Sequence, residues 1–449
     1  MINISTWLVL SVLMVFSIFL LIFLVYSILE KEKRAIERSI NSILLVGILF
    51  SVIGFLPVFI YPFLLIIPSA ILLVIFLKFG NKRIEFKIPE NRFDERDVMF
   101  SRNTLKEGTT KFDSYYQLRP ENKTVDENFR KEPGLLSEGS TFYNEILFSA
   151  ADATFSTVDL LQPLVEQPVL KKKTKLSEKH ISAFIKNWTI KLGATDVGFT
   201  LIKPHHVYSH IGRGEQYGNK VELEHKYAIA FTVEMSHESL SYNPKGPVVM
   251  ESAQQYLNAG QIAVQLAQLI RNLGFEARPH IDANYRVICP VVAQDAGLGT
   301  IGRMGLLMTP KSGPRVRIGV VSTNIELEFE DRHIDYSVIH FCEICKKCAE
   351  NCPSRSIPFN SVLKSKESER WTINQEKCFT LWCKMGTDCG RCVAVCPYSH
   401  PDNFIHNIVR WMIKRNPINR WLALKLDDFF YGRRPESARL KSWMTPGNS

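Results

Sequence analysis

The sequence predicts an α+β protein in which a group of N-terminal apolar helices precedes a soluble part that ends in a cysteine-rich module. Nearly all of the long apolar runs fall in the first 78 of 449 residues. The remainder, about 370 residues, has the composition of an ordinary globular protein and is long enough to bury a sizeable core. Nine of the ten cysteines lie between residues 342 and 396, which places the module near the C-terminus.

The first apolar run, residues 7–29, contains no charged residue and is long enough to cross about 30 Å of hydrocarbon as a helix. A secretory signal peptide would need a basic n-region, yet residues 1–6 carry no Lys or Arg. A second run, residues 40–77, is interrupted by prolines and predicts a hairpin of two helices that turns around residues 56–62. We therefore predict that residues 1–80 form a membrane anchor of three spanning helices.

Basic residues flank the apolar runs in two groups. The first group is Lys31, Lys33, Arg34 and Arg38, and the second is Lys78, Lys82, Arg83 and Lys87. The hairpin places both groups on one side of the membrane, which the positive-inside rule makes the cytoplasmic side. We therefore predict a multi-pass protein of the cell membrane whose soluble part faces the cytoplasm.

The formal net charge of +10 does not predict a nucleic-acid partner. Lys and Arg are interspersed with Asp and Glu, with only short basic clusters such as residues 171–173. A membrane protein with a cytoplasmic face shows the same bias toward basic residues. Because the apolar runs contain no His and no charged residue, they are predicted to serve as an anchor without a haem or ion pathway.

The cysteines form two groups with the spacing that bacterial ferredoxins use. The first is Cys-x2-Cys-x2-Cys-x3-Cys-Pro at residues 342–353, and the second is Cys-x2-Cys-x3-Cys-Pro at residues 389–397. In such runs three thiolates hold one 4Fe–4S cluster and the fourth reaches the other cluster. Zinc also binds CxxC pairs, but two interlocked groups that each end in Cys-Pro favour iron–sulfur clusters. A disulfide framework does not fit a large domain on the cytoplasmic side.

The exchange of the fourth ligand assigns four cysteines to each cluster. Cluster 1 is predicted to take Cys342, Cys345, Cys348 and Cys396. Cluster 2 is predicted to take Cys352, Cys389, Cys392 and one of the upstream pair, Cys378 or Cys383. We favour Cys378, with Cys383 as a spare thiol, although the spacing leaves both open. Cys289 stands apart and is predicted to be a buried apolar residue.

Gly297, Gly299 and Gly302 match the GxGxxG pattern. A dinucleotide site needs this pattern directly after a core strand, with an acidic residue about twenty positions later at a strand end. Residues 290–296 make a poor strand, and Glu326 lies in a polar, acidic stretch. The glycines are therefore better read as a close-packed turn than as a Rossmann fingerprint.

Several segments of the soluble part resemble corrinoid-dependent reductive dehalogenases. The most specific is residues 296–327, directly before the first cysteine run; the others are residues 94–102, 130–134 and 426–432. Together the resemblance covers about residues 93–435 in order. Epoxyqueuosine reductase, a tRNA-modifying enzyme, is similar over the cofactor core and the clusters but lacks the leading stretch and the anchor.

The resemblance implies a nitroreductase-like α/β core that holds cobalamin base-off, close enough to the second cluster to be reduced by it. In that arrangement the corrinoid does the bond-breaking chemistry, while the protein supplies the pocket, the proton and the electrostatics. Gly297, Gly299, Gly302 and Arg303 are the cofactor-binding residues that we expect on this basis.

The resemblance also implies three catalytic residues. Tyr256, ahead of a helix whose apolar spacing runs over residues 259–270, matches the family's proton donor, since a neighbouring cation makes a phenol a better acid. The family's supporting polar residue falls best on Asn284, and its arginine on Arg317, with Arg303 as the alternative. Without the resemblance, these residues read as a core-edge aromatic, a turn residue and a strand residue paired on the surface.

The sequence therefore predicts a membrane-anchored, cobalamin- and iron–sulfur-dependent reductive dehalogenase that acts on a small organohalide. Its expected partners are membrane lipid and an electron donor, which is a ferredoxin, a flavoprotein or a quinol-linked protein. Two alternatives remain. One is a corrinoid reductase of an epoxide or another oxygenated substrate, with an acidic residue in place of Tyr256 and a tRNA-binding surface. The other is an electron-transfer subunit, which needs only the cysteine module.

We expect the chain to divide into five regions. They are the anchor (1–80), a wrapping region of irregular structure and short helices (81–175), the cobalamin-binding core (176–335), the dicluster module (336–402) and a C-terminal helical region interrupted at Pro417 (403–449).

Overall fold

The computed structural model describes residues 4–53, 57–84, 86–169, 171–332, 334–362 and 370–445. The helices are α1 (Ile4–Leu29), α2 (Lys33–Ile53), α3 (Tyr61–Phe76), α4 (Met99–Asn103), α5 (Thr110–Leu118), α6 (Pro120–Arg130), α7 (Glu145–Asp159), α8 (Glu178–Lys191), α9 (His237–Ser241), α10 (Gly246–Asn272), α11 (Cys289–Asp295), α12 (Ser337–Cys345), α13 (Lys347–Glu350), α14 (Gln375–Met385), α15 (Arg391–Ala394), α16 (Phe404–Ile413) and α17 (Pro417–Phe430). The strands are β1 (Asp196–Leu201), β2 (Tyr227–Glu234), β3 (Ala277–His280), β4 (Thr300–Ile301), β5 (Leu307–Met308) and β6 (Val316–Thr323).

These elements form two compact units that do not follow the five predicted regions. The first unit consists of Met1–Arg83, Tyr336–Cys345 and Pro401–Pro435, and the second of Ile84–Asp335, Lys346–His400 and Glu436–Ser449. The dicluster segment is therefore divided, because α12 belongs to the first unit while α13 and α15 belong to the second.

Two helices of the first unit are long and apolar enough to cross a membrane, Trp7–Leu29 and Lys33–Val52. The third apolar helix, α3, has 16 residues, which gives about 24 Å at 1.5 Å per residue and falls short of the roughly 30 Å of a bilayer core. The predicted turn includes residue 56, which lies outside the described residues. The third span therefore stays a prediction.

Helices α16 and α17 pack on the ends of these apolar helices. In the turn between α1 and α2, the Glu30 carboxylate lies 3.1 Å from the Nε2 atom of His406. The Asn416 side chain donates hydrogen bonds of 2.8 Å to the carbonyl oxygens of Val74 and Leu77 at the end of α3. Because α16 and α17 contact both places, the α1–α2 turn and the end of α3 lie at the same end of this unit.

The second unit is built around a four-stranded antiparallel sheet in the order β1-β2-β6-β3. Helices α8 and α10 cover one face, where Ile185, Phe231, Ile262 and Val321 share a core. Helix α11 covers the other face, where a second core includes Val292 and Val320. Val320 and Val321 contribute to opposite faces because successive side chains of a strand alternate. The sheet is thus the middle layer of an α/β/α arrangement.

Most of the predicted local structure is confirmed. The helix predicted from apolar spacing over residues 259–270 is the C-terminal half of α10, which is followed by Gly274 at a φ of +88°. Residues 101–180 contain short helices, and the C-terminal helices are separated before Pro417. Residues 289–295 form a helix and not a strand, so the GxGxxG turn does not follow a core strand.

Strand β6 contains a glycine that the packing of the sheet requires. Gly319 pairs with Phe231 across the β2–β6 ladder, and a Cβ atom at position 319 would overlap the Phe231 ring. The ring lies in the core between the sheet and α10. The absence of a side chain at Gly319 therefore lets α10 pack closely on the strand.

We expect Gly319→Ala to destabilise the second unit by about 1–3 kcal/mol, because an added methyl group in a closely packed core displaces its neighbour. The change would appear as a lower midpoint of thermal or denaturant unfolding. Combining it with Phe231→Leu should recover part of the loss. Wild-type stability of Gly319→Ala alone would show that the ring can move aside without cost.

Candidate active site and cluster-binding region

One face of α10 organises the candidate site. Val248, Ser252 and Tyr256 are spaced four residues apart, so their side chains follow one another along the same side of the helix. Val248 contacts Gly390 of the second cysteine group, Ser252 contacts Asp388, which directly precedes that group, and Tyr256 contacts an arginine from the sheet. The predicted proton donor therefore lies on the same helix against which the second cysteine group packs.

The arginine is Arg317 of β6. It is four residues before Val321, which faces the core under α10, and so it points to the same side of the sheet. Its guanidinium carbon lies 4.6 Å from the centroid of the Tyr256 ring. This is a cation–π contact, and it confirms that Tyr256 and Arg317 are neighbours, as the sequence led us to expect.

Two further side chains hold this arginine. The Nη2 atom of Arg317 donates a 2.7 Å hydrogen bond to Ser252 Oγ and lies 3.4 Å from an oxygen of Asp388. The Ser252 hydroxyl in turn donates to the same Asp388 oxygen. Serine, arginine and carboxylate thus form a closed group, and Asp388 is the residue immediately before Cys389.

Opposing effects act on the ionisation of Tyr256. The charge of Arg317 acts to lower the pKa of the phenol, but burial and the carboxylates of Asp282 and Asp388 outweigh it. The pKa of Tyr256 therefore lies above its ordinary value. The group stays protonated at neutral pH, so it can donate a proton and return to the neutral form afterwards.

The site has polar atoms to offer to a ligand. The Nε atom of Arg317 and the Oδ1 atom of Asp388 are buried and have no hydrogen-bond partner within the part of the chain that the structure describes. Buried polar atoms are rarely left in this state, because each one loses its contact with water. Next to Tyr256, these atoms fit a site that is completed by a bound polar cofactor or substrate.

Asn284 lies near this site but is engaged elsewhere. Its side-chain oxygen accepts a 2.6 Å hydrogen bond from Arg278, and its amide nitrogen donates to Gln162 at 3.1 Å. The neighbouring Asp282 is the residue of this turn whose charge acts on Tyr256. The role predicted for Asn284 stays a prediction, and the structure places its amide in a contact that holds the turn.

The predicted cofactor glycines lie in the layer on the other face of the sheet. Leu298, between Gly297 and Gly299, belongs to the α11 core. A Cβ atom at Gly297 would overlap the Arg332 side chain, and one at Gly299 would overlap the Met308 backbone. The structure thus explains both glycines by close packing against protein, as for a compact turn. Their role in binding a cofactor stays a prediction.

Arg303 is fully buried, and its guanidinium contacts backbone and aromatic groups of the protein. Its Nη1 atom donates to the carbonyl oxygens of Pro358 at 2.7 Å and Asn360 at 2.9 Å. Its guanidinium lies 4.4 Å from the centroid of the Trp371 ring. Of the two arginines considered for the catalytic role, only Arg317 therefore stacks on Tyr256.

The second unit contains the four cysteines predicted for cluster 2. Burial raises the pKa of Cys392 well above its usual range, and the charges of nearby cysteines raise it further; these are Cys389, Cys348, Cys378 and Cys352. Such mutual effects require the sulfur atoms to be close together. A cluster relieves this repulsion because iron binds the thiolates directly.

The two upstream cysteines have different surroundings. Burial raises the pKa of Cys378 to about 12, and the charges of Cys352 and Cys389 contribute to the shift. Cys383 instead packs in an apolar cluster with Met99 and Phe129. Cys378 is therefore the one of the pair that lies near other cysteines predicted for cluster 2.

Residues 387–392, called the cluster 2 segment because they include the predicted ligands Cys389 and Cys392, rest against α10. Gly390 has a φ of +63°, and a Cβ atom at this position would lie 2.7 Å from the side chain of Val248. Thr387 donates a 2.6 Å hydrogen bond to the carbonyl oxygen of Pro244, just before the helix. These contacts fix the segment of Cys389 on the first turns of the helix that carries Tyr256.

The cysteines predicted for cluster 1 are divided between the units. Cys342 and Cys345 lie on α12 of the first unit, where Arg433 donates a hydrogen bond to the Cys345 carbonyl oxygen. Cys348 and Cys396 belong to the second unit. Cys289 is buried in the α11 core, as predicted for an apolar residue.

Sequence reasoning missed Ser252 and Asp388 as members of the site, and within residues 282–284 it favoured Asn284 over Asp282. Two signals could have pointed to Ser252 and Asp388. Ser252 stands four residues before Tyr256, and Asp388 directly precedes a cluster cysteine. The pairing itself could not have been foreseen, because it joins residues that are 136 positions apart in the chain.

Comparison with known proteins supports this description. The family model of the 4Fe-4S dicluster domain matches residues 341–400. A tetrachloroethene reductive dehalogenase of Desulfitobacterium hafniense is 33% identical over 216 residues, which cover 46% of this chain and 38% of that protein. One of Sulfurospirillum multivorans is 34% identical over 203 residues, 44% of this chain and 40% of that protein. Reductive dehalogenases are thus homologues of the chain, which spans about two fifths of the length of these relatives.

Solved structures show the same fold. A catabolic reductive dehalogenase in complex with 3-bromo-4-hydroxybenzoic acid superimposes with a TM-score of 0.63 at 22% identity, over 80% of this chain and 48% of that one. Another reductive dehalogenase, described with a mechanism of B12-dependent dehalogenation, gives a TM-score of 0.59 at 26% identity, over 69% of this chain and 46% of that one. The α+β architecture with its dicluster domain is therefore the reductive dehalogenase fold.

The different surroundings of Cys378 and Cys383 lead to a direct test. We expect Cys378→Ser to lower the iron content from about eight to about four atoms per chain, because one cluster loses a ligand. The matched variant Cys383→Ser should retain about eight. Iron and acid-labile sulfide would be measured on anaerobically purified protein. The reverse pattern would assign Cys383 to cluster 2, and zinc in place of iron would rule out the clusters.

Proposed function

We propose that this protein is a membrane-anchored reductive dehalogenase that replaces the halogen of a small organohalide with hydrogen. The observation that carries this proposal is the contact between Arg317 of β6 and Tyr256 of α10. The same helix also supports the segment of Cys389 and Cys392. A proton donor, a cation and an electron-transfer module thus meet at one helix. The similarity to tetrachloroethene reductive dehalogenases supports the same reaction.

Cobalamin is the cofactor that this proposal requires. The buried Nε atom of Arg317 and Oδ1 atom of Asp388, both unpartnered among the described residues, make the surroundings of Tyr256 fit a bound polar group. When bound, a base-off corrinoid supplies a low-valent cobalt centre that accepts single electrons and cleaves a carbon–halogen bond. Tyr256 and Arg317 would face the reacting substrate, and Gly297, Gly299, Gly302 and Arg303 remain the predicted cofactor-binding residues.

The reaction consumes two electrons and one proton: the carbon–halogen bond breaks, a carbon–hydrogen bond forms and halide leaves. The clusters deliver the electrons one at a time. Tyr256 supplies the proton from its hydroxyl, which burial keeps protonated before turnover. Arg317 stabilises the phenolate that results, and its positive charge also favours the departing halide.

Ser252 and Asp388 act on this chemistry through Arg317. They hold one edge of the guanidinium by a 2.7 Å hydrogen bond and an ion pair at 3.4 Å. The planar group is thereby kept over the Tyr256 ring and cannot turn toward solvent. We assign them as positioning residues that set the distance between the cation and the phenol.

We propose that the cluster ligands follow the exchange predicted from the cysteine spacing. We propose Cys342, Cys345, Cys348 and Cys396 for cluster 1, and Cys352, Cys378, Cys389 and Cys392 for cluster 2. Cluster 2 is then the one beside α10, and it would deliver electrons to the site. Two of the cysteines proposed for cluster 1, Cys342 and Cys345, lie on α12. We propose that the electron donor, a ferredoxin, a flavoprotein or a quinol-linked protein, reduces cluster 1 first.

We propose that the anchor is multi-pass and that the soluble part faces the cytoplasm. Helices α16 and α17 contact both the α1–α2 turn and the end of α3. The basic residues of the first unit that follow α1 and α3, which are Lys31, Lys33, Arg34 and Arg38 and then Lys78, Lys82 and Arg83, therefore lie at one end of that unit, as the positive-inside rule requires for a cytoplasmic end. This geometry supports a return of the chain across the membrane through α3.

The runner-up function is reduction of an epoxide or another oxygenated substrate. An epoxyqueuosine reductase of Atelocyanobacterium thalassa is 27% identical over 137 residues, 29% of this chain and 43% of that protein. The match to the dehalogenases is longer, and the group beside Arg317 is a phenol, whereas the alternative expects an acidic donor. An electron-transfer subunit would not need the Tyr256–Arg317 contact.

We expect Tyr256→Phe to retain clusters and corrinoid but to lower the rate of halide release about a hundredfold or more, the usual scale for loss of a general acid. The ring, and with it the contact to Arg317, is kept. Halide release would be measured anaerobically with a bromophenol and a chloroalkene under a strong reductant. Tyr242→Phe, which alters a buried tyrosine bonded to Glu238, is the matched control and should turn over normally.

Near wild-type halide release by Tyr256→Phe would remove the residue from the mechanism. Arg317→Leu should also slow turnover, because the pKa of Tyr256 rises further once the nearby positive charge is gone. Ultraviolet titration of the phenol would show this shift independently of activity. Activity only on tRNA that contains epoxyqueuosine would move the protein to the runner-up function.

The orientation can be tested in intact cells. We expect protease added outside to leave the soluble part uncut, because the positive-inside rule places it in the cytoplasm. After lysis the same protease should cut exposed loops, which is the control for susceptibility. Cleavage without lysis would place the catalytic site outside the cell.

A further inference from the structure

Helix α17 has an exposed apolar face. Ile418, Trp421, Leu426 and Phe429 are 51%, 56%, 39% and 42% exposed, whereas Asn419, Arg420, Ala423, Leu424 and Asp427 on the other side are buried. The exposed residues recur at helical spacing and form one stripe along the whole helix. Four large apolar side chains on one helix exceed the scattered exposure that is normal for a soluble surface.

The stripe borders the apolar helices at both of its ends. At the beginning of α17, Asn419 donates a 2.9 Å hydrogen bond to the Ile75 carbonyl oxygen in the last turn of α3. At the end of α17, the Arg38 guanidinium of α2 lies 5.0 Å from the centroid of the Phe429 ring. The helix therefore lies across the ends of α3 and α2.

Aromatic and basic side chains also pair at the end of α3. Trp411 of α16 packs on Phe76, in the last turn of α3, with ring centroids 5.4 Å apart. The Arg415 guanidinium lies 4.3 Å from the centroid of the Trp411 ring. Tryptophan beside a cation at the end of an apolar helix is typical of a membrane–water interface, where the ring is partly buried and the charge meets lipid phosphates.

The charge of this segment favours an anionic partner. Residues 401–435 contain seven Lys or Arg and three Asp or Glu; Arg410, Arg420 and Asp427 are buried, so five basic and two acidic side chains remain outside the buried set. Lys425, which is exposed, stands among the apolar residues of the stripe. A long basic side chain in such a position can keep its stem in an apolar layer while its ammonium group reaches lipid phosphates.

We propose that α17 is an interfacial helix, which lies in the plane of the membrane surface with Ile418, Trp421, Leu426 and Phe429 at the boundary between headgroups and acyl chains. Its partner is an anionic phospholipid surface. The inference rests on the proposed anchoring by α1–α3 and adds a second, lateral attachment to it. Amphipathic helices of this kind bind through buried apolar area together with attraction to anionic lipid.

This attachment has a consequence for electron entry. Helix α12, which carries Cys342 and Cys345, packs on α16 and α17 within the first unit. A helix fixed in the interface would hold these two cysteines at a constant height above the lipid. Cluster 1 would then be reduced by a donor that works at the membrane surface.

The experiment uses the full chain in sealed vesicles of phosphatidylcholine with and without phosphatidylglycerol. The chain has seven tryptophans, so the contribution of Trp421 is the difference in fluorescence between the wild type and Trp421→Phe. We expect this contribution to be quenched by phospholipid brominated near the top of its acyl chains and protected from aqueous iodide. Phosphatidylglycerol should increase the quenching by brominated lipid. Trp443→Phe, at a similarly exposed tryptophan of the second unit (64% exposed), is the matched control and should report iodide-accessible fluorescence.

Two results would overturn the proposal in different ways. If the protein floats with the vesicles and resists alkaline extraction while Trp421 is quenched by iodide alone, the anchor stands and α17 is not interfacial. If the protein does not stay with the vesicles, the anchoring itself fails and the interfacial helix fails with it. Neither result bears on the catalytic proposal, which halide release by the purified protein tests separately.

Discussion

The structure of the candidate site depends on the packing of one face of α10 between the sheet and the cluster 2 segment. Val248, Ser252 and Tyr256 occupy that face at intervals of four residues. Each has a partner from a different part of the chain: Gly390, Asp388 and Arg317. A rotation of the helix by one residue would move all three contacts together, since they share the same side. In the proposed mechanism, the relation between electron delivery and proton delivery is therefore set by helix packing and not by loop conformation.

The electrostatics of this site explain why an arginine stands beside a half-buried tyrosine. Burial alone would make the phenol a poor acid, because the phenolate would lose its contact with water. The charge of Arg317 opposes that effect, although the carboxylates of Asp282 and Asp388 keep the pKa above its ordinary value. The carboxylate of Asp388 also holds the arginine in place. In its proposed role as proton donor, Tyr256 would be protonated before turnover and would have a cation beside it when it loses its proton.

The first unit, which contains α1–α3, α12, α16 and α17, joins helices from distant parts of the chain. Polar side chains of α16 and α17 satisfy carbonyl oxygens at the end of α3, among them those of Val74, Ile75 and Leu77. The Val74 carbonyl also accepts a bond from the Leu77 backbone N–H, but the last carbonyl groups of a helix in general lack partners within it and are costly to leave bare near lipid. The C-terminal helices thus complete the ends of the N-terminal helices, which explains why distant parts of the chain form one unit.

The sequence by itself determined the parts that depend on local pattern. Cysteine spacing identified the dicluster module, because the ligands of a cluster must follow one another at short fixed intervals. Uncharged runs identified the apolar helices, and helical spacing identified α10 and the break before Pro417. The resemblance to dehalogenases brought Tyr256 and Arg317 forward as a pair, and the structure confirms that they are neighbours.

Only the tertiary structure decided the contacts between segments that are far apart in sequence. It placed Cys378 with the cluster 2 thiols and Cys383 in an apolar cluster, a choice that spacing leaves open because either residue is close enough along the chain. It packed Gly297 and Gly299 against protein in the layer opposite α10, and it engaged Asn284 with Arg278 and Gln162. It also revealed Ser252 and Asp388 as the holders of Arg317. These features depend on which faces of helices and strands meet, and periodicity shows that a face exists without showing what packs on it.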